Sequence, residues 1–150
     1  MQQDVEFGLV QLTDIAVRAL SPGVNDPTTA EDVIVHIGGV LIAIWSHEEP
    51  SGVRTQNGRR AVMPQATHES YLSRSTGPIR RYGAGDPLVL STLLRTLLQV
   101  RSEVERRGLP GPLHPLDDAI AATIAAAETS AWSELERRRF ASIGRISAES

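Results

Sequence analysis

The side chains able to do chemistry are concentrated in one stretch of this sequence, from Gln3 to Ala30. Gln11, Asp14 and Arg18 fall at i, i+3 and i+7, and Ser21, Asn25, Asp26, Thr28 and Thr29 follow around a proline-rich break, SPGVNDP. Where one helix ends and another begins across a tight turn, side-chain oxygens and free backbone N–H groups share a small volume. Such a place attracts negative charge: the unpaired N–H groups of a helix start are partly positive, and the Arg18 guanidinium offers a two-pronged fork. The same groups can equally satisfy one another. Asp14 can pair with Arg18 as an i,i+4 couple, Asn25 can form an Asx-turn, and Asp26 can cap the next helix, leaving nothing for a ligand. A nucleophile, base and orienter can be written down from Ser21, His36 and either Asp14 or Asp26, but spacing supplies no geometry for them.

Elsewhere the titratable groups read as structure. His114, Asp117 and Asp118 have a spacing that suits a divalent cation if all share one helical face. Pro115 disturbs that register, however, and acidic residues after a proline are an ordinary first helical turn. No metal and no cofactor is assigned. His47-Glu48-Glu49 and His68-Glu69 read as exposed caps or loops, and His36, inside an apolar run, as a hydrogen-bonded core histidine. The sequence holds no G-x-S-x-G, no H-E-x-x-H and no phosphate-cradling glycine loop, so the reading leans away from catalysis.

The elements that must position these residues are helical. Val5, Leu9, Leu12, Ala16 and Ala19 step by four, three, four and three, with Ile15 and Leu20 widening the stripe, which predicts an amphipathic helix over 1–20. The turn at 21–27 ends it, and Asp26 with Pro27 suits the cap and first position of a central helix over 28–46, hydrophobic on most sides. Gly38 and Gly39 each cost that helix about 1 kcal/mol against alanine, which close approach of the first helix would explain. Asn57-Gly58 predicts a hairpin over 53–63 that leans on the helices. Gly77-Pro78 predicts a broken helix over 67–82, with Tyr71, Ile79 and Tyr82 facing the core. Asp86-Pro87 repeats the cap logic before a helix over 87–107, and a last helix or helix pair follows over 116–143. The fold class is therefore mainly α, an irregular bundle of about five or six helices with one small β-hairpin, in a single domain over 1–150.

The run QDVEFGLVQLTDIAVRALSPGVNDPTTA closely resembles the signature of a bacterial membrane-protein family known as domain of unknown function 2254, and IRRYGAGDPLVLSTLLRTL resembles a second, weaker motif of it. The likeness runs from Gln3 to about residue 107. It implies the C-terminal soluble part of a bacterial integral-membrane protein, facing the cytoplasm, with the membrane-embedded remainder of the parent as its partner. It carries no established activity or residue roles. An interaction or ligand-sensing module is the expectation, and a small hydrolase or anion-binding enzyme built on Asp14, Arg18, Asn25 and Asp26 is the alternative.

Composition agrees with a packed helical domain. The chain has 150 residues, 41% hydrophobic and only 4% aromatic, so its core must come from Leu, Ile, Val and Ala. A formal net charge of −3 argues against nucleic acid, which demands clustered positive charge. All fifteen basic residues are arginine, most simply a coding bias. No cysteine is present, which excludes disulfides and thiolate chemistry. The run from Val33 to Trp45 is shorter than the about twenty residues of a spanning helix, so the chain is expected to be soluble and this run a buried helix. The Gly-Gly pair and the alanines between Ala119 and Ala127 suit close packing, within a bundle or in a homo-oligomer.

Overall fold

The computed structural model describes residues 2–49, 53–56, 59–62 and 66–148. Six helices follow in order: α1 (Gln2–Ala19), α2 (Pro27–Trp45), α3 (His68–Gly83), α4 (Pro87–Arg107), α5 (His114–Glu128) and α6 (Glu134–Ala148). The mainly α class holds, at six helices. Three local devices mark their ends. Asp26 and Asp86 each cap a helix with proline in its first turn, where the missing proline N–H costs nothing. Gly108 closes α4 in the left-handed region at φ 60°, with Leu109 N–H donating to the Val104 carbonyl at 2.9 Å, the glycine termination expected of such a stop. Ser133 and Glu136 open α6 with a reciprocal pair: Glu136 accepts from the Ser133 N–H at 2.7 Å, and Ser133 Oγ accepts from the Glu136 N–H at 3.3 Å. This capping box stands in the sequence as S-E-L-E.

Long-range contacts fix the helix directions. Thr92 Oγ1 donates to Glu31 at 2.8 Å, Gly38 abuts Thr96, and Trp45 Nε1 donates to the Pro112 carbonyl at 2.7 Å. Positions 31, 38 and 45 of α2 therefore meet rising positions of α4 and the segment after it, so the two helices run parallel. Arg74 pairs with Glu6 at 2.6 Å and Gly83 neighbours Leu20, so α1 and α3 are parallel as well. Two hairpins of similar build, α1–α2 and α3–α4, thus lie side by side with their Asp-Pro caps at one end. α5 returns against α4, with Arg101 bonded to Asp117 at 2.6 Å. The five-residue link before α6 docks at the same end as the caps, where Ser130 Oγ and Trp132 Nε1 both donate to the Ala84 carbonyl.

The core is mainly aliphatic, with Trp45, Tyr71, Trp132 and Phe140 buried in it as well. Leu90, Leu93, Leu94, Leu97 and Val100 of α4 are all buried, together with Ile34, Ile37 and Leu41 of α2. Helix α4 touches α2, α3, α5 and α6, and the most extensive helix contact is that between α2 and α4. By length and composition alone α2 is apolar enough to cross a membrane. In the bundle one side of it packs on α1, α3 and α4, while Val35, Gly39 and Ala43 stay exposed, so it is not buried all round.

Several expectations are corrected by packing. Gly38 does meet a neighbouring helix, but the neighbour is α4, and Gly39 faces open space. Helix α3 runs unbroken through Gly77-Pro78: Tyr71, Leu72, Ser75, Thr76 and Ile79 are all buried, and this burial outweighs the hydrogen bond the proline forgoes. Tyr82 and Ile15 point outward. The hairpin expected over 53–63 is not part of the supported architecture. Its Asn57-Gly58 turn lies outside the described residues, as do 50–52 and 63–65. The two four-residue stretches Val53–Gln56 and Arg59–Val62 face each other in antiparallel register, but no packing of either on a helix is found among the described residues, and an unsupported ribbon of that length is marginal.

Candidate functional site

The eight residues singled out above divide into two groups. Ser21, Asp26 and Thr29 are consumed by the turn between α1 and α2. Ser21 Oγ donates to the Arg18 carbonyl at 2.7 Å, and Asp26 accepts from the Thr29 N–H at 3.1 Å and the Thr29 hydroxyl at 2.6 Å. The Thr29 hydroxyl and its N–H together hold the Asp26 carboxyl below the usual carboxylate range. The backbone is equally closed on itself. Asn25 N–H donates to the Ser21 carbonyl at 2.8 Å, and Asp26 N–H reaches back to Ala19 at 2.8 Å. Asn25 earns its place through conformation, not through an Asx-turn: it sits at φ 47°, a region asparagine tolerates better than other side chains with a Cβ.

Gln11, Asp14, Arg18, Asn25 and Thr28 form the second group. All five are exposed, and among the described residues none of their side chains makes a hydrogen bond or ion pair with another residue. Asp14 and Arg18 do not pair, although their spacing permits it. On the outer face of α1 these polar groups alternate with apolar ones: Phe7 is 64% exposed, Val10 44% and Ile15 47%. Phe7, Gln11, Asp14 and Arg18 lie at i, i+4, i+7 and i+11, one line along that helix.

The triad written from sequence is not assembled. Ser21 Oγ faces the Arg18 carbonyl, and His36 is exposed on α2 with Nδ1 at 2.7 Å from the Asp32 carbonyl of its own helix. His36 is thus not a core histidine. The true core histidine is His68, expected in an exposed cap and found 3% exposed. Its backbone N–H donates to Glu49 at 2.8 Å, its Nδ1 lies 3.0 Å from the same carboxylate, and its Nε2 lies 3.3 Å from the Ile44 carbonyl. Its ring meets Trp45 edge-on at 4.7 Å. The backbone bond from His68 is the main reason the Glu49 carboxyl sits below its ordinary value. Only contact between the end of α2 and the start of α3 reveals this, so no local signal could have found it. Among the described residues no cluster of His, Asp and Glu has the arrangement of a metal site, and Asp117 is engaged by Arg101.

A feature without any counterpart in the sequence reading is a cavity of about 330 Å³ between α4, α5 and α6, walled by Leu94, Ala127, Trp132 and Phe140.

Comparison with known proteins places these observations in context. A family model described as "Predicted membrane protein (DUF2254)" matches residues 1–99, which span α1 to most of α4. Uncharacterised proteins of Mycobacterium tuberculosis and Mycobacterium bovis are 42% identical to the chain over 102 residues, covering 67% of this chain and 20% of theirs. The matched stretch thus spans about a fifth of the length of these curated relatives. No solved structure matches.

Proposed function

The chain belongs to the DUF2254 family of predicted membrane proteins, and on that premise we propose that it is a soluble, cytoplasmic interaction or ligand-sensing unit of a bacterial integral-membrane protein, with the outer face of α1 as its working surface. The observation that carries this reading is the pattern on that face. Phe7, Val10 and Ile15 are exposed beside Gln11, Asp14 and Arg18, whose side chains the fold leaves without partners among the described residues. An aromatic, aliphatics and an arginine interleaved on one helix have the composition of a protein-binding surface, where aromatic residues and arginine are enriched. The partner favoured is the membrane-embedded remainder of the parent, since the chain matches only about a fifth of its relatives' length. The enzyme alternative on Asp14, Arg18, Asn25 and Asp26 is less favoured, because Asp26 is engaged by Thr29 in the turn and Asp14 and Arg18 do not pair.

The test is to place a photo-crosslinking amino acid at Phe7, and separately at Val10, in the full-length parent protein in its native cells, and to blot membrane and soluble fractions. Crosslinks to the parent's own membrane segment, recovered with the membrane, are expected. A signal confined to the soluble fraction, or crosslinks only to a second copy, would overturn the assignment. As a control for a structural role, Asp14→Ala and Arg18→Ala are expected to change stability by no more than about 0.5 kcal/mol, the range for surface positions without partners.

A further inference from the structure

We propose that the cavity between α4, α5 and α6 binds a single-chain carboxylic acid, with the hydrocarbon chain inside and the carboxylate on Arg137. This site is separate from the α1 surface and does not rest on the reading of it. At about 330 Å³ the cavity lies at the small end of ligand sites, whose volumes run from about 300 to 1,000 Å³. Leu94, Ala127, Trp132 and Phe140 line it and are all buried, and Trp132 and Phe140 brace each other edge-on at 5.3 Å. Gly144 completes the lining, and a Cβ added there would meet nothing within 4 Å. The hollow opens to solvent past Ile124, Ala141 and Gly144, and its mostly apolar lining gives a hydrocarbon chain a surface to bury against.

The polarity of the occupant follows from Arg137. Its guanidinium donates to the Glu128 carbonyl at 3.0 Å and to the Ser130 carbonyl at 2.6 Å, which anchors it at the C-terminal end of α5. Among the described residues no carboxylate lies within ion-pair distance of it. A cation held by two carbonyls and by no carboxylate keeps an unspent Nε–H, and a carboxylate supplies both an acceptor and the opposite sign. Glu128 is the other ionisable group of the lining, and Arg137 is its cation, so the carboxylate is assigned to Arg137.

The experiment uses the 150-residue chain and dodecanoate bearing a bromine on its tail, read by quenching of tryptophan fluorescence. The chain has two tryptophans: Trp132 lines the cavity, whereas Trp45 lies at the opposite end of the bundle against Pro112. Saturable quenching of about half the signal is expected. Binding of dodecanol should be about tenfold weaker, the loss expected when a charged group gives up a hydrogen-bond partner. Arg137→Gln should bring dodecanoate down to the dodecanol level. Gly144→Leu, placed where there is space for it, should abolish binding of both while keeping the helical circular dichroism of the parent. Four results would each overturn the proposal: no saturable quenching, equal binding of dodecylammonium, quenching unaffected by Gly144→Leu, or self-association of the unsubstituted chain that Gly144→Leu abolishes, which would make a second copy the occupant. Anionic phospholipid vesicles brominated on the acyl chains and free of fatty acid should give no quenching; if they do, the occupant is a bilayer lipid and not a free acid.

Discussion

Adjacent glycines in the same helix should respond differently to the same substitution, one gaining stability and the other not. In an exposed helix interior, Gly→Ala adds about 1 kcal/mol of stability through helix propensity. At Gly39 nothing lies within 4 Å of the new methyl group, so Gly39→Ala should realise that gain. At Gly38 the methyl group would lie 2.5 Å from Thr96 Cγ2 and 3.8 Å from Val100 Cγ2. Thr96 is buried on α4, and its β-branched side chain has few helical rotamers to escape into. Overpacking of this kind costs about 1–3 kcal/mol, so Gly38→Ala should come out neutral to about 2 kcal/mol destabilising. The variants would then differ by about 1–3 kcal/mol, or about 2 to 12 °C in melting temperature for a domain of this size. Thermal unfolding followed by circular dichroism reads the difference directly. Thr96→Ser removes the offending methyl group, so Gly38→Ala combined with it should recover stability, with a coupling of about 1 kcal/mol or more in the double-mutant cycle. If Gly38→Ala stabilises as much as Gly39→Ala, or if Thr96→Ser brings no relief, the close approach of Gly38 to Thr96 is wrong.

Three further outcomes follow from the contacts described. The folded Glu49 carboxyl is held below its free value of 4.5, so the stability it contributes is present above that value and is lost as the pH falls through the lower folded one; urea midpoints of Glu49→Gln should show a shallower acid decline than wild type. Asp86→Ala removes the acceptor for Leu88 N–H at 2.8 Å and Val89 N–H at 3.3 Å and should cost about 1 kcal/mol, as cap removals do, read as a shift in urea midpoint. Gly111→Ala would drive a methyl group into the ring of Trp45, 2.7 Å from Cγ. Trp45 is wholly buried and tied to Pro112, so the loss should reach about 1–3 kcal/mol, with a shift in tryptophan emission to report the displaced ring.

What the sequence determined by itself was whatever acts within a few residues. Asp26-Pro27 and Asp86-Pro87 are caps in the fold as they are in the sequence, because the bonds that make them reach only two or three residues. Family membership was also readable, since the stretch from Gln3 to Ala30 carries it in linear order. The stepping of Leu9, Ala16 and Ala19 marked the buried face of α1, but Ile15 beside that stripe is exposed, because the width of a face depends on where its neighbours stand. Tertiary structure alone decided the rest. Whether Gly38 or Gly39 meets a helix, whether His36 or His68 is buried, and whether Asp14 and Arg18 pair or remain free all depend on the rotation of one helix against others tens of residues away. Periodicity fixes each helix only up to that rotation. The cavity beside Arg137 is the extreme case: its walls come from three helices and the link between two of them, no two of which share a local signal, and it exists only where their packed surfaces fail to close.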